Sequence, residues 1–510
     1  MRRSMQIVSL LLCVLFIFCF TACSETETKR LEKESMEMQL VPTPKTVKNS
    51  GNAMLYKTTV RENEEFAEAI DTFMDYASRL EVDFTKDKKG DFLLSKDDTL
   101  QSGAYRLAVS ENGVTLVASD ENGMQHAFAT VLQLMEKADG GVYLPICEIA
   151  DSADCEYRGM MVDLARNWHD FSYLLSYVDM CYYYKISVLH LHFTDDQSYT
   201  LPSELYPELS TEGRHYTREQ IAELVAYAKA RGVELMPEID VPGHCKSFQA
   251  SYHRIFGTTG IICQHQESMD AMQALFKELC EMFPDSKYIH IGGDEAAIIN
   301  WANCSKCRKY AQSIGIDAST GDKELLSQQM YANFVNKMAE AVLECGKKPV
   351  AWEGFSKEVN GLVSKEILMM SWENYYQTTP DLLDGGFEIL NCSWNPMYVV
   401  TPVHAWPLEE LYSWSIYKWK AVHPQSPYLN SVLQIEPNEK VRGGQLLAWG
   451  DQIAASCETL EDGIRAEREL LLERLPFLAE NTWNVQKISE YKDLLACCKA
   501  QGERLKKIIQ

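Results

Sequence analysis

Two carboxylates stand side by side in His290-Ile-Gly-Gly-Asp294-Glu295. Adjacent acids suit general acid–base chemistry: the charge on one raises the proton affinity of the other, which helps keep one protonated near neutral pH. The two glycines ahead of them let the backbone lie close to a ligand. The same pair would also suit the first turn of a helix, where Asp and Glu face free N–H groups. The motif alone leaves both readings open. Its company weighs toward chemistry. Polar and aromatic groups recur at the ends of short apolar runs: Asp163 and Arg166; His190, His192, Asp195 and Asp196; Glu238, Asp240 and His244; Trp352 and Glu353; Trp372 and Glu373; Trp394; Trp449 and Asp451. Singly, each has an ordinary explanation as a cap, a core imidazole or a core indole. Stability alone gives no reason for run after run to end in carboxylates and indoles.

The runs themselves are Gly159–Leu164, Ser187–Phe193, Val233–Ile239, Lys287–Gly292, Pro349–Trp352, Ile367–Trp372, Glu388–Ser393 and Gly444–Trp449. Most precede a helix-like stretch, such as Thr217–Arg231 or Leu325–Cys345. Strands apolar on both faces and separated by helices predict a parallel sheet. Eight of them predict a (β/α)8 barrel, whose reactive groups gather at the C-terminal strand ends. An open nucleotide-binding sheet would want a glycine-rich turn after the first strand, where Arg166-Asn167-Trp168 stands instead. Ahead of the barrel, residues 41–150 read as a small α/β domain: a helix over Glu64–Leu80, strands at Tyr105 and Gly113 joined by a turn, and a helix over Met124–Lys137. The expected fold is therefore α/β, a barrel at 151–455 preceded by this domain and followed by amphipathic helices at 456–510.

The N-terminus reads as an address. Arg2 and Arg3 precede a 14-residue apolar run, Ile7 to Phe20. That is short of the ~20 residues a spanning helix needs and suits a signal peptide. Thr21-Ala22-Cys23 then resembles a bacterial lipoprotein signal, with residues 1–22 removed, Cys23 lipidated and 23–40 a tether; an ordinary secretory signal with an incidental Cys is the alternative. The expectation is an extracytoplasmic protein held at the membrane by its lipid.

The chain has 510 residues, 46% hydrophobic and 24% charged, which excludes a disordered or collagen-like protein. With 49 Lys and Arg against 73 Asp and Glu, the net charge of −24 argues against a nucleic-acid partner. Thirteen cysteines follow Cys23, and they form no small-domain disulfide framework. Cys304-x-x-Cys307 alone has metal-like spacing, but zinc needs further ligands and no second CxxC or HxxxH stands nearby; a disulfide or two thiols is the expectation.

Four segments in order resemble glycoside hydrolase family 20, the β-N-acetylhexosaminidases: Tyr157-Arg158-Gly-Met-Met-Val-Asp163-Leu-Ala-Arg166, Lys185-Ile-Ser-Val-Leu-His190-Leu-His192-Phe-Thr-Asp195-Asp196-Gln197, Pro237-Glu-Ile-Asp240-Val-Pro-Gly-His244 and the Asp294-Glu295 motif. The resemblance covers residues 41–455, including Asn122-Gly-Met-Gln-His-Ala-Phe in the small domain. It implies exo-acting, retaining hydrolysis of terminal β-linked GlcNAc or GalNAc in which the substrate's own acetamido oxygen attacks C1. Glu295 would be the general acid and then base, and Asp294 would hold the acetamido N–H. Trp352, Trp372 and Trp449 would wall the acetamido site, and Tyr398 would donate to the acetamido oxygen. Arg158 and Asp451 would grip sugar hydroxyls, and Asp195, Asp240 and His244 would support the acidic pair. No metal or cofactor is implied.

Three departures bear on sugar preference. Ser198-Tyr199 stands where the family often has Gly-Trp, Asn167 where it commonly has His, and Asp451 where many members have Glu. Release of a disaccharide, or a silent glycan-binding barrel, is the alternative; the latter is expected to have lost Asp294 or Glu295. A chitinase-like enzyme would carry D-x-x-D-x-D-x-E on its fourth strand, which Tyr288–Glu295 lacks.

Overall fold

In the computed structural model, residues 32–400 and 405–509 are described. The signal segment, Cys23 and the first part of the expected tether lie outside them. The barrel strands are β1 (Tyr157–Asp163), β2 (Val188–His192), β3 (Glu234–Glu238), β4 (Tyr288–His290), β5 (Lys348–Trp352), β6 (Leu368–Ser371), β7 (Ile389–Asn391) and β8 (Val441–Ala448). Each pairs in parallel with the next, and β8 returns to β1, with Met160 opposite Leu446. The ring is therefore closed, as the eight apolar runs predict. Both faces of the strands are buried: every residue of β1 and β2 is buried, which is why their sequences run apolar without alternation.

The crossover helices follow the expected order with local differences. Helix α1 (Phe171–Tyr183) follows β1, α2 (Arg218–Ala230) follows β2, α3 (Gln266–Met282) precedes β4 and α4 (Lys323–Glu344) precedes β5. Thr217 caps α2 in a reciprocal box with Gln220. Between β5 and β6 only a 3-10 turn, Lys357–Val359, makes the crossover. After β8, helix α5 (Leu460–Trp483) packs on β8 and β1, so it is the eighth barrel helix. The barrel boundary expected at residue 455 therefore falls before the ring's last helix. Only α6 (Tyr491–Ile508) stands outside the ring, and it fills the seam with the small domain through Gln501 to the Gln39 carbonyl and Arg504 to that of Met135.

The small domain is a mixed sheet with the helices Ala67–Arg79 and Glu121–Leu134 against it. Phe73 stacks on Phe128 at 4.5 Å, and Asp120 caps the second helix by accepting the Gly123 N–H. The tether expectation fails for its described part. Glu32 and Lys33 pair with Met54 and Ala53, and Leu40 is buried. The domain meets the barrel through a buried polar clamp: Asp179 accepts from the Tyr76 and Tyr227 hydroxyls and from Arg79. A second contact lies beneath the ring, where Lys185 donates to the Tyr105 hydroxyl and lies 4.8 Å from the Trp483 ring.

Candidate active site

A pocket of about 240 Å³ opens at the C-terminal end of the barrel. Arg166, His244, Asp294, Glu295, Trp372, Trp394, Tyr398, Trp449 and Asp451 line it, with Val400 and Gln452. Loops after β1, β3, β4, β6, β7 and β8 thus meet at one place, where barrels concentrate chemistry. The volume lies below the ~300–1,000 Å³ of pockets for drug-sized ligands, which fits one sugar ring better than several.

The acidic pair is set by the backbone. Gly292 and Gly293 have φ of +70° and +125°. A Cβ on Gly292 would stand 2.2 Å from Asp240 Oδ1 and 2.4 Å from the Val241 nitrogen, so only glycine permits this turn. Asp294 and Glu295 then part. Asp294 is buried, and its Oδ1 has no partner. Glu295, at φ +48°, leaves 57% of its side chain exposed. The Glu295 N–H donates to the Tyr376 hydroxyl. One carboxylate is therefore enclosed and the other faces the pocket mouth.

Burial, with lesser contributions from Glu295 and Glu238 and against the pull of His244, raises Asp294 to about 7. Asp240 beside it is raised well above the carboxylate range by burial and by Asp294, and neither of its oxygens has a hydrogen-bond partner, His244 Nε2 lying 3.9 Å from Oδ2. Burial disfavours a charged His244, but Asp240, Asp195 and Asp294 surround it and raise it to about 10. Its Nε2 lies 3.5 Å from Glu295 Oε2, and its Nδ1 3.4 Å from Asp195 Oδ2. An imidazolium here links the exposed acid to the carboxylates beneath.

Below the pocket the barrel interior is polar. Glu238 lies 2.5 Å from His192 Nδ1, 3.1 Å from His190 Nε2 and 2.8 Å from His290 Nδ1. The three imidazoles outweigh the cost of burial and hold Glu238 well below the carboxylate range. His192 reaches Asp195, which bonds Arg166. Trp352 belongs to this lower layer. It is buried and donates its indole N–H to Glu238 Oε1 at 2.7 Å. It touches Trp449 at 5.8 Å between ring centres but does not line the pocket. The expectation that Trp352 walls the site is corrected accordingly: it lies under the wall.

The upper aromatic wall is continuous. Tyr398 stacks on Trp394 at 5.0 Å and on Trp372 at 6.2 Å, and lies 6.0 Å from Trp449. Trp372 is held by the Glu353 carbonyl and carboxylate, so Glu353 is a buried support rather than a pocket group. Glu373 likewise accepts the backbone N–H groups of Val422 and His423.

Arg158 requires a correction. It enters β1 at the opposite end of the barrel, where its guanidinium donates to the carbonyls of Lys185, Cys155 and Glu156 and lies 5.2 Å from the Trp483 ring. It cannot reach a sugar in the pocket. The pocket's guanidinium is Arg166, at the other end of the strand, bonded to Asp163 at 3.0 Å and set 5.1 Å from the Trp449 ring. Arg166 and Trp394 stood among the strand-end groups in the sequence without an assigned role. Val400 and Gln452 carried no signal at all. Of the three departures, only Asp451 lines the pocket. Tyr199 packs edge-on against Phe248 in the core, and Asn167 donates to Glu467 behind the barrel.

Fold and site together define a closed eight-stranded α/β barrel with an acidic, aromatic-walled pocket at its C-terminal end. The profile of "Glycosyl hydrolase family 20, catalytic domain" matches residues 155–486, and that of "Glycosyl hydrolase family 20, domain 2" matches residues 37–152. The chain belongs to glycosyl hydrolase family 20. Among curated relatives, a beta-hexosaminidase of Akkermansia muciniphila is 34% identical over 285 residues, covering 50% of this chain and 56% of the relative. A beta-hexosaminidase of Vibrio furnissii is 30% identical over 318 residues, covering 55% and 50%. The chain thus aligns with only about half the length of these relatives. Among solved structures, a GH20 exo beta-N-acetylglucosaminidase of Vibrio harveyi in complex with N-acetylglucosamine superposes with a TM-score of 0.77 at 21% identity, covering 94% of this chain and 79% of that one. A beta-N-acetylhexosaminidase of Bacteroides fragilis gives 0.73 at 21% identity, covering 90% and 93%.

Proposed function

We propose that this protein is an exo-acting, retaining β-N-acetylhexosaminidase. The observation that carries the reading is one pocket in which an enclosed carboxylate, an exposed carboxylate and an indole wall converge. The enclosed Asp294 suits an acetamido N–H, to which its unpartnered Oδ1 can accept. The Trp372, Trp394 and Trp449 indoles supply apolar walls for the acetamido methyl and the sugar face. With the acetamido group held, its oxygen attacks C1 as Glu295 gives its proton to the departing glycosidic oxygen. Glu295 then takes a proton from water as the water adds to C1 and the acetamido group is restored. Arg166 and Asp451 also line the pocket and would contact sugar hydroxyls. The family membership and the names of the relatives support the same substrate class.

The test is release of nitrophenol from aryl β-GlcNAc and β-GalNAc glycosides by the purified protein beside Glu295→Gln. General acid–base catalysis predicts a loss of roughly 10²–10⁴-fold in the variant. Turnover that survives Glu295→Gln would reject the assignment. Release from a disaccharide glycoside but from neither monosaccharide would replace it with a disaccharide-releasing reading. We propose further that the N-terminal segment exports the chain and that Cys23 anchors it to the membrane. Metabolic labelling with a fatty acid, lost in Cys23→Ala, tests that address.

A further inference from the structure

Three thiols converge outside the pocket. Cys263 lies on the loop between the helix Lys246–Phe256 and α3, and Cys304 and Cys307 open the helix Ser305–Ser313. Cys263 and Cys307, 44 residues apart in sequence, bring their sulfurs to 3.4 Å. One sulfur from each of the three lies within 4.8 Å of the others. Cys304-x-x-Cys307 offers too few ligands by itself, and the fold supplies the third from a different loop. All three line a cavity of about 350 Å³ that His253, Arg254, His265 and Lys306 also face.

We propose that Cys263, Cys304 and Cys307 bind a thiolate-preferring divalent cation, Zn²⁺ foremost, with its fourth position facing this cavity. A tetrahedral Zn²⁺ with bonds of ~2.3 Å holds its sulfurs about 3.8 Å apart, a value that lies between the 3.4 Å of Cys263 and Cys307 and the 4.8 Å within which all three sulfurs fall. A disulfide needs a sulfur separation of ~2.05 Å and would use two thiols, leaving the third unpaired. Each thiol gives up its proton on binding, so uptake releases protons. The three thiolates leave a net negative charge on the complex, which the nearby Lys306 and Arg254 offset. The ion would tie the loop that follows β3 to the segment that follows Asp294-Glu295. Trp301 already joins the same two segments by donating to the Ile262 carbonyl at 2.7 Å. Its role is therefore to hold the loop behind the acidic pair, with no part in the reaction.

The test is elemental analysis of the purified, tag-free protein, with Co²⁺ exchanged in as a spectroscopic probe. About one Zn²⁺ per chain is expected, as is an intense thiolate-to-cobalt absorption. Both should vanish in Cys304→Ser and persist when the exposed Cys345 is changed to Ser. A second measurement needs no variant: Zn²⁺ should shield Cys263, Cys304 and Cys307 from alkylation, and a chelator should restore their reactivity. Equal alkylation with and without Zn²⁺ would overturn the proposal. So would a Cys263–Cys307 disulfide found by peptide mapping of the protein as purified.

Discussion

Arg158 and Arg166 lie eight positions apart at opposite ends of one strand, and exchanging each for Lys separates pocket from scaffold. Arg166 bridges Asp163 and Asp195 and faces the pocket. Lys at this position keeps the charge that Asp163 and Asp195 need but cannot span both acids and a sugar hydroxyl at once. Loss of one charge-assisted contact to the substrate costs about 1.5–3 kcal/mol, which is roughly a 10–150-fold fall in kcat/KM. Arg158→Lys removes fixed bonds to backbone carbonyls beneath the barrel and contact with Trp483. At about 1 kcal/mol per bond, this predicts ~2–3 kcal/mol of lost stability. The folded Arg158 variant should keep its kcat/KM to within about twofold, since no pocket group moves. The assay is aryl-glycoside hydrolysis beside urea unfolding for both variants and the parent. A catalytic defect in Arg158→Lys at full stability, with Arg166→Lys unaffected, would refute the placement.

Gly292→Ala forces a Cβ to 2.4 Å from the Val241 nitrogen at φ +70°, and that backbone cannot move aside. Left-handed strain and overpacking together predict a loss of ~2–5 kcal/mol, and displacement of the acidic pair a fall of ~10²-fold in activity; urea midpoints and initial rates check both. Asp294→Asn should stabilise the protein increasingly with pH. Asp294 titrates near 7 when folded against 3.8 ordinarily, so the native state holds this proton more tightly than the unfolded chain. Its contribution is complete at low pH and is lost as pH rises through about 7, whereas Asn does not titrate. Urea midpoints of parent and variant at pH 4.5 and 8 measure the divergence, and a gap that does not grow between them counts against burial as the cause.

The barrel was legible because strands buried on both faces leave unbroken apolar runs, and these survive in sequence as Met160-Met161-Val162 or Leu368-Met369-Met370. The crossover reduced to a turn between β5 and β6 was not, since no residue pattern announces a missing helix. Arg158 shows a different failure. At ~3.3 Å per residue a strand of seven separates its ends by roughly 20 Å, so the rule that barrels work at their C-terminal ends already favours Arg166. The family resemblance alone does not separate the two arginines, whereas the rise per residue does. Trp352 ends a strand as Trp372 and Trp449 nearly do, but whether an indole walls a pocket or lies beneath it depends on which neighbours stand above, and sequence does not hold that. The cysteine cluster was illegible for the same reason: its third member arrives through tertiary folding.

Three of the seven non-glycine residues with positive φ among the described residues lie on loops at the C-terminal end of the barrel. His244, Glu295 and Asn374 are non-glycine residues with φ of +43°, +48° and +52°, each costing of order 1–3 kcal/mol. They sit on the loops after β3, β4 and β6; His244 and Glu295 line the pocket, and Asn374 is buried and accepts from Thr379. The same region holds carboxylate oxygens buried without hydrogen-bond partners, on Asp240 and Asp294, although a buried group left without a hydrogen bond costs about 1–3 kcal/mol. A fold selected for stability alone would relax these turns and pair these acids. A ligand carrying an N–H donor into the pocket would satisfy Asp294, favour its ionised form and draw on the positive charge of His244. At Asp294 the missing hydrogen bond is one that a bound ligand would supply.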